Sequence, residues 1–231
     1  AHVIIPKPYS RLKYDLILQH QARIRIADHR THAEELLAQG IQEERAHFVH
    51  PFNDPEVIAG QGTVMLELMD QVTNLDVVLA PVGGGGLLSG LCIAGHSSDP
   101  ALAIYACEPL RAADAVKSLR EGRIVPMLNP DTMADGLRTS LGTLAFSILR
   151  QHVADVFLVS EDEILAAMQF IHDHFHFQIE PSSAVALAPL LRQERSLAGK
   201  RVGVVLTSGN VDQCSGTDRR ITPTQHGLGT T

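Results

Sequence analysis

The chain has 231 residues, of which 45% are hydrophobic and 19% are charged, and this is ordinary for a globular protein with one sizeable core. The formal net charge of −7 and the scattered basic residues exclude a dominant basic face, so we predict no nucleic-acid partner. Three cysteines without CxxC spacing fit a reducing compartment, and we predict a cytoplasmic protein.

The first 52 residues alternate between strand and helix signals. "HVIIP" (2–6) and "ARIRIA" (22–27) are predicted strands, with a helix between them around residues 9–20. A second helix is predicted from His32 onward, and "AHFVHPF" (46–52) is predicted as a third strand. This alternation is typical of an α/β fold.

A strand, a run of glycines and a helix dominate the central region. Residues 56–72 carry apolar side chains at helical spacing, and "LDVVLAPV" (75–82) is the nearly continuous apolar run expected of a strand buried on both faces. Four glycines follow, and then a helix and the strand "LAIYACEP" (102–109). The uncharged run 77–95 has the length of a membrane span, but its proline and clustered glycines favour strand, turn and helix, so we predict no membrane segment.

The alternation resumes after a loop-rich stretch at 120–140. A strand, a helix, a helix of small residues and a strand with a glycine turn are predicted at 155–160, 160–175, 182–191 and 201–210. Ser160 and Glu163 form a capping-box pattern at the start of the first of these helices. The whole pattern predicts an α/β protein with a doubly wound open sheet, in which ligands bind at the carboxyl ends of the strands.

The four glycines (83–86) pose the main functional question. They would place several backbone N–H groups in one concavity at the positive end of a helix, an arrangement that binds phosphate. A glycine turn needed only for close helix–strand packing is the alternative. No lysine follows for a GxxxxGK[ST] loop, and no glycine here completes GxGxxG. A dinucleotide site stays a weak alternative, because Glu108 imitates its ribose-binding acid.

Five segments together resemble one enzyme family. They are "HPFNDPEVIAGQGT" (50–63), the glycine run, "PDTMADGLRTS" (130–140), "IEPSSAVALA" (179–188) and "LTSGN" (206–210). In this order they resemble the fold-type II pyridoxal-phosphate enzymes, in the branch of the serine/threonine dehydratases and serine racemase. The resemblance runs to about Asp212, and it implies an open sheet of the tryptophan synthase β-like type with part of a smaller α/β domain.

The resemblance also implies a division of the chain. Residues 1–49 would be the remainder of the small domain, and residues 50–214 would be an incomplete large domain that binds the cofactor. Residues 215–231 have no periodicity and are predicted to be a disordered tail or a non-native remnant.

Pyridoxal 5'-phosphate is the cofactor that the family implies. The backbone amides that would bind its phosphate are those of Gly83, Gly84, Gly85, Gly86 and Leu87. Thr207 stands where the family has a hydroxyl that bonds the pyridine nitrogen, Gly136 resembles the glycine near the substrate face of the ring, and Glu180 is assigned to the same site. A neutral hydroxyl at Thr207 would leave the ring nitrogen unprotonated, which suits β-elimination.

A divalent cation site is implied by the racemase-like branch. Glu108, the carbonyl of Ala112 and Asp114 reproduce its ligand spacing, and such hard oxygen ligands suit Mg²⁺ or Ca²⁺. The alternative is a pair of solvated carboxylates at a strand end.

The Schiff-base lysine of the family, and the loop that binds the substrate carboxylate, have no counterpart here. The four lysines of the chain (Lys7, Lys13, Lys117 and Lys200) lie in other contexts, so the catalytic residue is unknown. We therefore predict an N-terminally truncated chain that is inactive alone. The intact protein is predicted to be a homodimer that deaminates L-serine, L-threonine or another 3-hydroxy amino acid. Serine racemase and a non-catalytic remnant that binds a phosphate ligand are the alternatives.

Overall fold

The computed structural model describes residues 1–210, so the predicted tail and Cys214 lie outside the described residues. A small parallel sheet pairs β1 (His2–Pro6) with β2 (Arg23–Ala27), and α1 (Arg11–Gln19) connects the two strands. The next helix, α2, spans Arg30–Glu44. These elements confirm the first four sequence predictions.

The second sheet has four parallel strands in the order β5-β4-β3-β6. Its strands are β3 (Val77–Pro81), β4 (Ala103–Pro109), β5 (Val156–Val159) and β6 (Val202–Val204). The helices of this region are α3 (Pro55–Gln71), α4 (Gly86–Ser98), α5 (Asp114–Glu121), α6 (Thr143–His152), α7 (Glu161–Phe175), α8 (Pro181–Ala184) and α9 (Ala188–Leu191).

The central strand β3 explains why this sheet is covered on both faces. All five of its residues are buried, and alternate side chains point to opposite faces. Val78 and Ala80 join a core with α3, α4 and α6, whereas Val77 and Leu79 join a core with α7 and α8. The doubly wound α/β fold is therefore confirmed.

The glycine run connects β3 to α4, as the sequence predicted. In the described part of the chain, no helix combines the length and the apolar composition that a membrane crossing requires. The predicted capping box also forms, because the Ser160 side chain accepts from the N–H of Glu163 and the Glu163 side chain accepts from the N–H of Ser160.

Two predictions differ from the structure. The strand predicted at 46–52 is wrong, because this segment has no strand pairing and turns instead. The imidazole Nδ1 of His50 accepts from the N–H groups of Phe52 (3.3 Å) and Asn53 (2.9 Å). Pro51 has no N–H that could donate to a neighbouring strand. The predicted small-residue helix is broken by a turn at 185–187 into α8 and α9.

Candidate functional site

The glycine run lies at the carboxyl end of β3, between the neighbouring strands β4 and β6. Gly85 is the N-cap of α4 and has φ of +88°, a conformation that favours glycine. A Cβ on Gly84 would overlap the ring of Phe52, and a Cβ on Gly86 would lie 2.9 Å from the backbone oxygen of Phe52. Close packing therefore accounts for the missing side chains at these positions.

The amides of the run have a second property that packing does not explain. Among residues 1–210, the N–H groups from Gly83 to Leu88 have no hydrogen-bond partner, although Gly84, Gly85 and Gly86 are buried. The first bond of the helix is from the N–H of Ser89 to the carbonyl of Gly85, at 2.9 Å. Buried, unpaired amides at the positive end of a helix form a site for an anion such as phosphate.

Gly136 lies directly against this loop. A Cβ on Gly83 would be 3.1 Å from the carbonyl oxygen of Gly136. The N–H of Gly136 donates to the Ser182 hydroxyl at 3.0 Å, so the start of α8 fixes the position of the 135–137 turn. The structure thus brings together Gly136 and the glycine run, which are 50 to 53 residues apart in the sequence.

The loop after β6 is attached to α8 as well. The N–H of Thr207 donates to the hydroxyl of the fully buried Ser183 at 2.8 Å. The Thr207 residue is exposed, and within the described residues its hydroxyl has no hydrogen-bond partner. Thr207 is therefore held by its backbone while its hydroxyl is free to bind a ligand. Ser182 and Ser183 were not predicted; the signal available was their place beside Glu180 in "IEPSS".

Glu180 connects the same loop to the small sheet region. Its N–H donates to the carbonyl of Ser208 at 2.9 Å, and its carboxylate accepts from the N–H of Asn210 at 3.1 Å. The second carboxylate oxygen accepts from the Nζ of Lys13 at 3.0 Å, and Lys13 also contacts Asp135 at 3.3 Å. Within residues 1–210, the Glu180 side chain thus contacts protein groups at the rim of the site.

The charge of Lys13 is stabilised by these two carboxylates. Burial lowers the pKa of Lys13, but the hydrogen bond to Glu180 and the charge of Asp135 outweigh burial and hold the pKa above its ordinary value. Lys13 therefore keeps its proton at neutral pH and is a poor nucleophile. No local pattern around residue 13 indicated this position, because the contact partners lie 122 and 167 residues away.

The predicted cation ligands lie at the carboxyl end of β4. Glu108 is 1% exposed, and its two oxygens accept from the N–H groups of Ala115 (2.6 Å) and Val116 (3.0 Å). Asp114 is 4% exposed and accepts from the N–H of Leu141 at 3.2 Å. Burial raises the pKa of Glu108 to about 8 and that of Asp114 to about 6. The alternative of solvated carboxylates is wrong.

Among the described residues, no basic side chain forms a hydrogen bond or an ion pair with Glu108 or Asp114. Burial raises the pKa of Asp114 and outweighs the hydrogen bond from the Leu141 N–H and the more distant charge of Lys117, which both favour its ionised form. Residues 1–210 also hold no cluster of three or more His, Cys, Asp and Glu side chains that could bind a metal ion. The predicted site has only two such side chains and a carbonyl, so its donor set is compatible with a hard cation that keeps some of its water.

Comparison with known proteins places this geometry in a family. Residues 1–208 match the family described as "Pyridoxal-phosphate dependent enzyme". The chain is 42% identical to the beta-hydroxyaspartate dehydratase of Paracoccus denitrificans over 213 residues, covering 92% of this chain and 68% of that protein. It is also 42% identical to the serine racemase of Dictyostelium discoideum over 220 residues, with 93% and 68% coverage.

Among solved structures, the threonine deaminase of T.th. superposes with a TM-score of 0.85 at 37% identity, covering 92% of this chain and 70% of that one. The crystal structure of the Dictyostelium serine racemase gives a TM-score of 0.84, covering 91% and 68%. This one family is matched from residue 1 to residue 208, and the glycine run of the chain has the unpaired amides described above. The chain belongs to the pyridoxal-phosphate dependent enzymes.

Proposed function

We propose that the intact protein is an ammonia-lyase that eliminates water from L-serine, L-threonine or another 3-hydroxy amino acid. Hydrolysis of the released enamine then takes up one water and gives a 2-oxo acid and ammonia. The observation that carries this proposal is the row of unpaired amides from Gly83 to Leu88 at the end of β3, together with the Thr207 hydroxyl, unpaired among the described residues, just after the neighbouring strand β6. The similarity to a dehydratase and to a threonine deaminase supports it.

Each residue would have a distinct part in this reaction. Bound pyridoxal phosphate supplies the group that withdraws electrons from the α-carbon of the amino acid. The amides of the glycine run would hold its phosphate, and the Thr207 hydroxyl would bond the ring nitrogen without protonating it. Ser183 would set the position of Thr207, and Ser182 would set the position of Gly136 beside the glycine run.

We further propose that a segment outside this chain supplies the lysine that takes the α-proton. The chain matches 68% of the length of the dehydratase and of the Dictyostelium racemase, so about a third of each relative has no counterpart here. Lys13 lies at the site, but its two carboxylate partners keep it protonated. This chain alone would then bind the cofactor without turning over substrate.

The buried carboxylates support the binding of a cation in addition to the cofactor. We propose that Mg²⁺ or Ca²⁺ binds Glu108, Asp114 and the carbonyl of Ala112, because two buried acids have no basic side chain in contact with them among the described residues. Either ion is expected to raise the melting temperature of the chain. An equal rise in the Glu108→Gln variant would contradict this site.

The first test measures how tightly this chain alone binds analogues of the cofactor. Equilibrium dialysis with pyridoxine 5'-phosphate and with pyridoxine compares two cofactor analogues that differ only in the phosphate. The glycine run predicts that the phosphate ester binds at least about tenfold more tightly, because several amides donate to the phosphate. Equal affinity for the two compounds would show that the glycine run holds no phosphate.

Turnover needs a second protein, in which the chain is joined to the part of the Paracoccus relative that it does not match. Formation of 2-oxo acid and ammonia from L-serine or L-threonine would support the lyase. D-serine without 2-oxo acid would instead support serine racemase, which the 42% identity to the Dictyostelium enzyme makes the second candidate. Phosphate-dependent binding without either product would favour a non-catalytic remnant. Sedimentation of the same protein tests the proposed homodimer.

A further inference from the structure

A second pocket lies at the opposite end of the four-stranded sheet. It has a volume of about 180 Å³ and is formed by α5, α6 and the start of β5. The glycine run lies at the carboxyl ends of the parallel strands, whereas this pocket lies where β5 begins, at Val156. It is therefore separate from the candidate cofactor site.

The lining of this pocket is apolar at its base and basic at its mouth. Val116, Leu149 and Val156 are buried and form the apolar base. Arg120 and Arg150, each in the last turn of its helix, line the same pocket and are exposed. Within residues 1–210 neither guanidinium has an ion pair or a hydrogen bond. Stabilisation of the two helix ends is the ordinary role of such arginines.

We propose that this pocket binds a small aliphatic carboxylate. Two guanidinium groups match the charge of a carboxylate, which arginine binds through paired N–H donors, and the apolar base matches a short branched hydrocarbon body. The volume is below the roughly 300–1,000 Å³ of sites for drug-sized ligands, so the ligand is small. Asp155 also lines the mouth and disfavours ligands with more than one negative charge.

One wall residue connects this pocket to the glycine run. Leu149 is 1% exposed and lines the pocket, and a Cβ on Gly85 would lie 3.3 Å from its Cδ1. Val116 lines the pocket too, and its N–H donates to Glu108. A bound carboxylate would therefore contact Leu149, which packs beside Gly85, and Val116, whose backbone N–H donates to Glu108.

Calorimetric titration of the full chain with isovalerate tests the proposal. Isovalerate is expected to bind saturably, and at least about tenfold more tightly than acetate, which lacks the branched body, or isoamylamine, which lacks the carboxylate. Arg150→Gln and Arg120→Gln are each expected to weaken isovalerate binding about tenfold. Arg195→Gln, which alters an exposed arginine outside the pocket, is the matched control and should leave binding unchanged.

Two results would overturn the proposal. One is the absence of saturable isovalerate binding to the full chain, and the other is binding that both pocket variants retain at full strength. Circular dichroism of each variant establishes that it is folded, and both changes are at exposed positions where a fold defect is not expected. The test is independent of the proposed lyase function, because it requires neither cofactor nor turnover.

Discussion

The two sheet regions differ in how much core they contain. In the described part of the chain, Ala27 is the one fully buried apolar residue before Ile58, whereas the remaining buried apolar side chains lie in the four-stranded region. Apart from Ala27, the residues of the two small-sheet strands are half-buried or exposed, and two strands alone are marginal in water. The four-stranded region therefore carries most of the stability of the described chain.

The small region is tied to the large one by a few specific contacts. Lys13 reaches Glu180 and Asp135, and the Phe52 ring packs on Gly84 at the junction. The comparison then predicts that equivalent changes in the two regions have unequal costs.

The largest expected effect comes from a matched pair of strand isoleucines. Ile104 in β4 is 0% exposed, and Ile4 in β1 is half-buried. Ile104→Ala is expected to lower the free energy of unfolding by about 3–5 kcal/mol, because it leaves a cavity in the packed core. Ile4→Ala is expected to cost less than about 1.5 kcal/mol. Urea unfolding followed by far-UV circular dichroism measures both, and equal costs would contradict the comparison.

The second-largest change in the free energy of unfolding is expected in the glycine run, and the same chain offers a control glycine. Gly85 and Gly199 both have positive φ (+88° and +72°), but a Cβ on Gly85 would be 2.7 Å from Ala145, whereas nothing lies within 4 Å of a Cβ on Gly199. Gly85→Ala is expected to cost about 2–3 kcal/mol, from strain and crowding together. Gly199→Ala is expected to cost about 1 kcal/mol, from strain alone.

The same two variants test the glycine run as a binding site. Gly85→Ala is expected to weaken pyridoxal phosphate binding, because the crowded Cβ displaces the adjoining amides, and Gly199→Ala is expected to leave binding unchanged. A Gly85→Ala protein that is folded and binds the cofactor normally would show that the amides of this run do not hold the phosphate.

The sequence predicted the four-stranded region well because its signals are local and strong. The run at 75–82 is apolar except for Asp76 and predicts a strand covered on both faces, and the structure buries Val77–Pro81 in this way. The segment 46–52 has a similar content of β-branched and aromatic residues, yet it turns, because His50 accepts from the N–H groups of Phe52 and Asn53. Phe52 also packs on Gly84, and no local window contains both positions.

The candidate site was predictable only in part for the same reason. The glycine run, Gly136 and Thr207 stand in motifs, so the resemblance assigned them. Ser182 and Ser183 act through hydrogen bonds to residues 46 and 24 positions away, and these bonds exist only in the folded chain. The unpaired state of the amides is likewise a property of the fold.

A third prediction concerns the capping box of α7. Burial raises the pKa of Glu163, but hydrogen bonds from Ser160 and Arg192 outweigh burial and hold the pKa below its ordinary value. This stabilisation is fully present above the unfolded pKa of about 4.3 and is lost as pH falls through the folded pKa. Glu163→Gln is therefore expected to cost about 1 kcal/mol at neutral pH and nothing in acid.

Asp162→Asn is the matched control for this variant, because Asp162 lies in the same first turn but is exposed. Thermal unfolding of both variants across the acid range separates the contacts of Glu163 from the general effect of a negative charge at a helix start. If the melting temperatures of the two variants changed with pH in parallel, the whole effect would be assigned to the helix dipole.

The smallest effect is expected from the ion pair of the small region, between Lys7 and Asp28. The two groups are 3.0 Å apart, but both side chains are more than half exposed. The hydrogen bond from Lys7 lowers the pKa of Asp28, so any contribution would be present at neutral pH and lost in acid. Water and salt screen such a pair, and neither Asp28→Asn nor Lys7→Met is expected to change unfolding measurably. A coupling between the two variants that appears at low salt and disappears at high salt would show that surface charge, rather than buried apolar area, orders the small sheet.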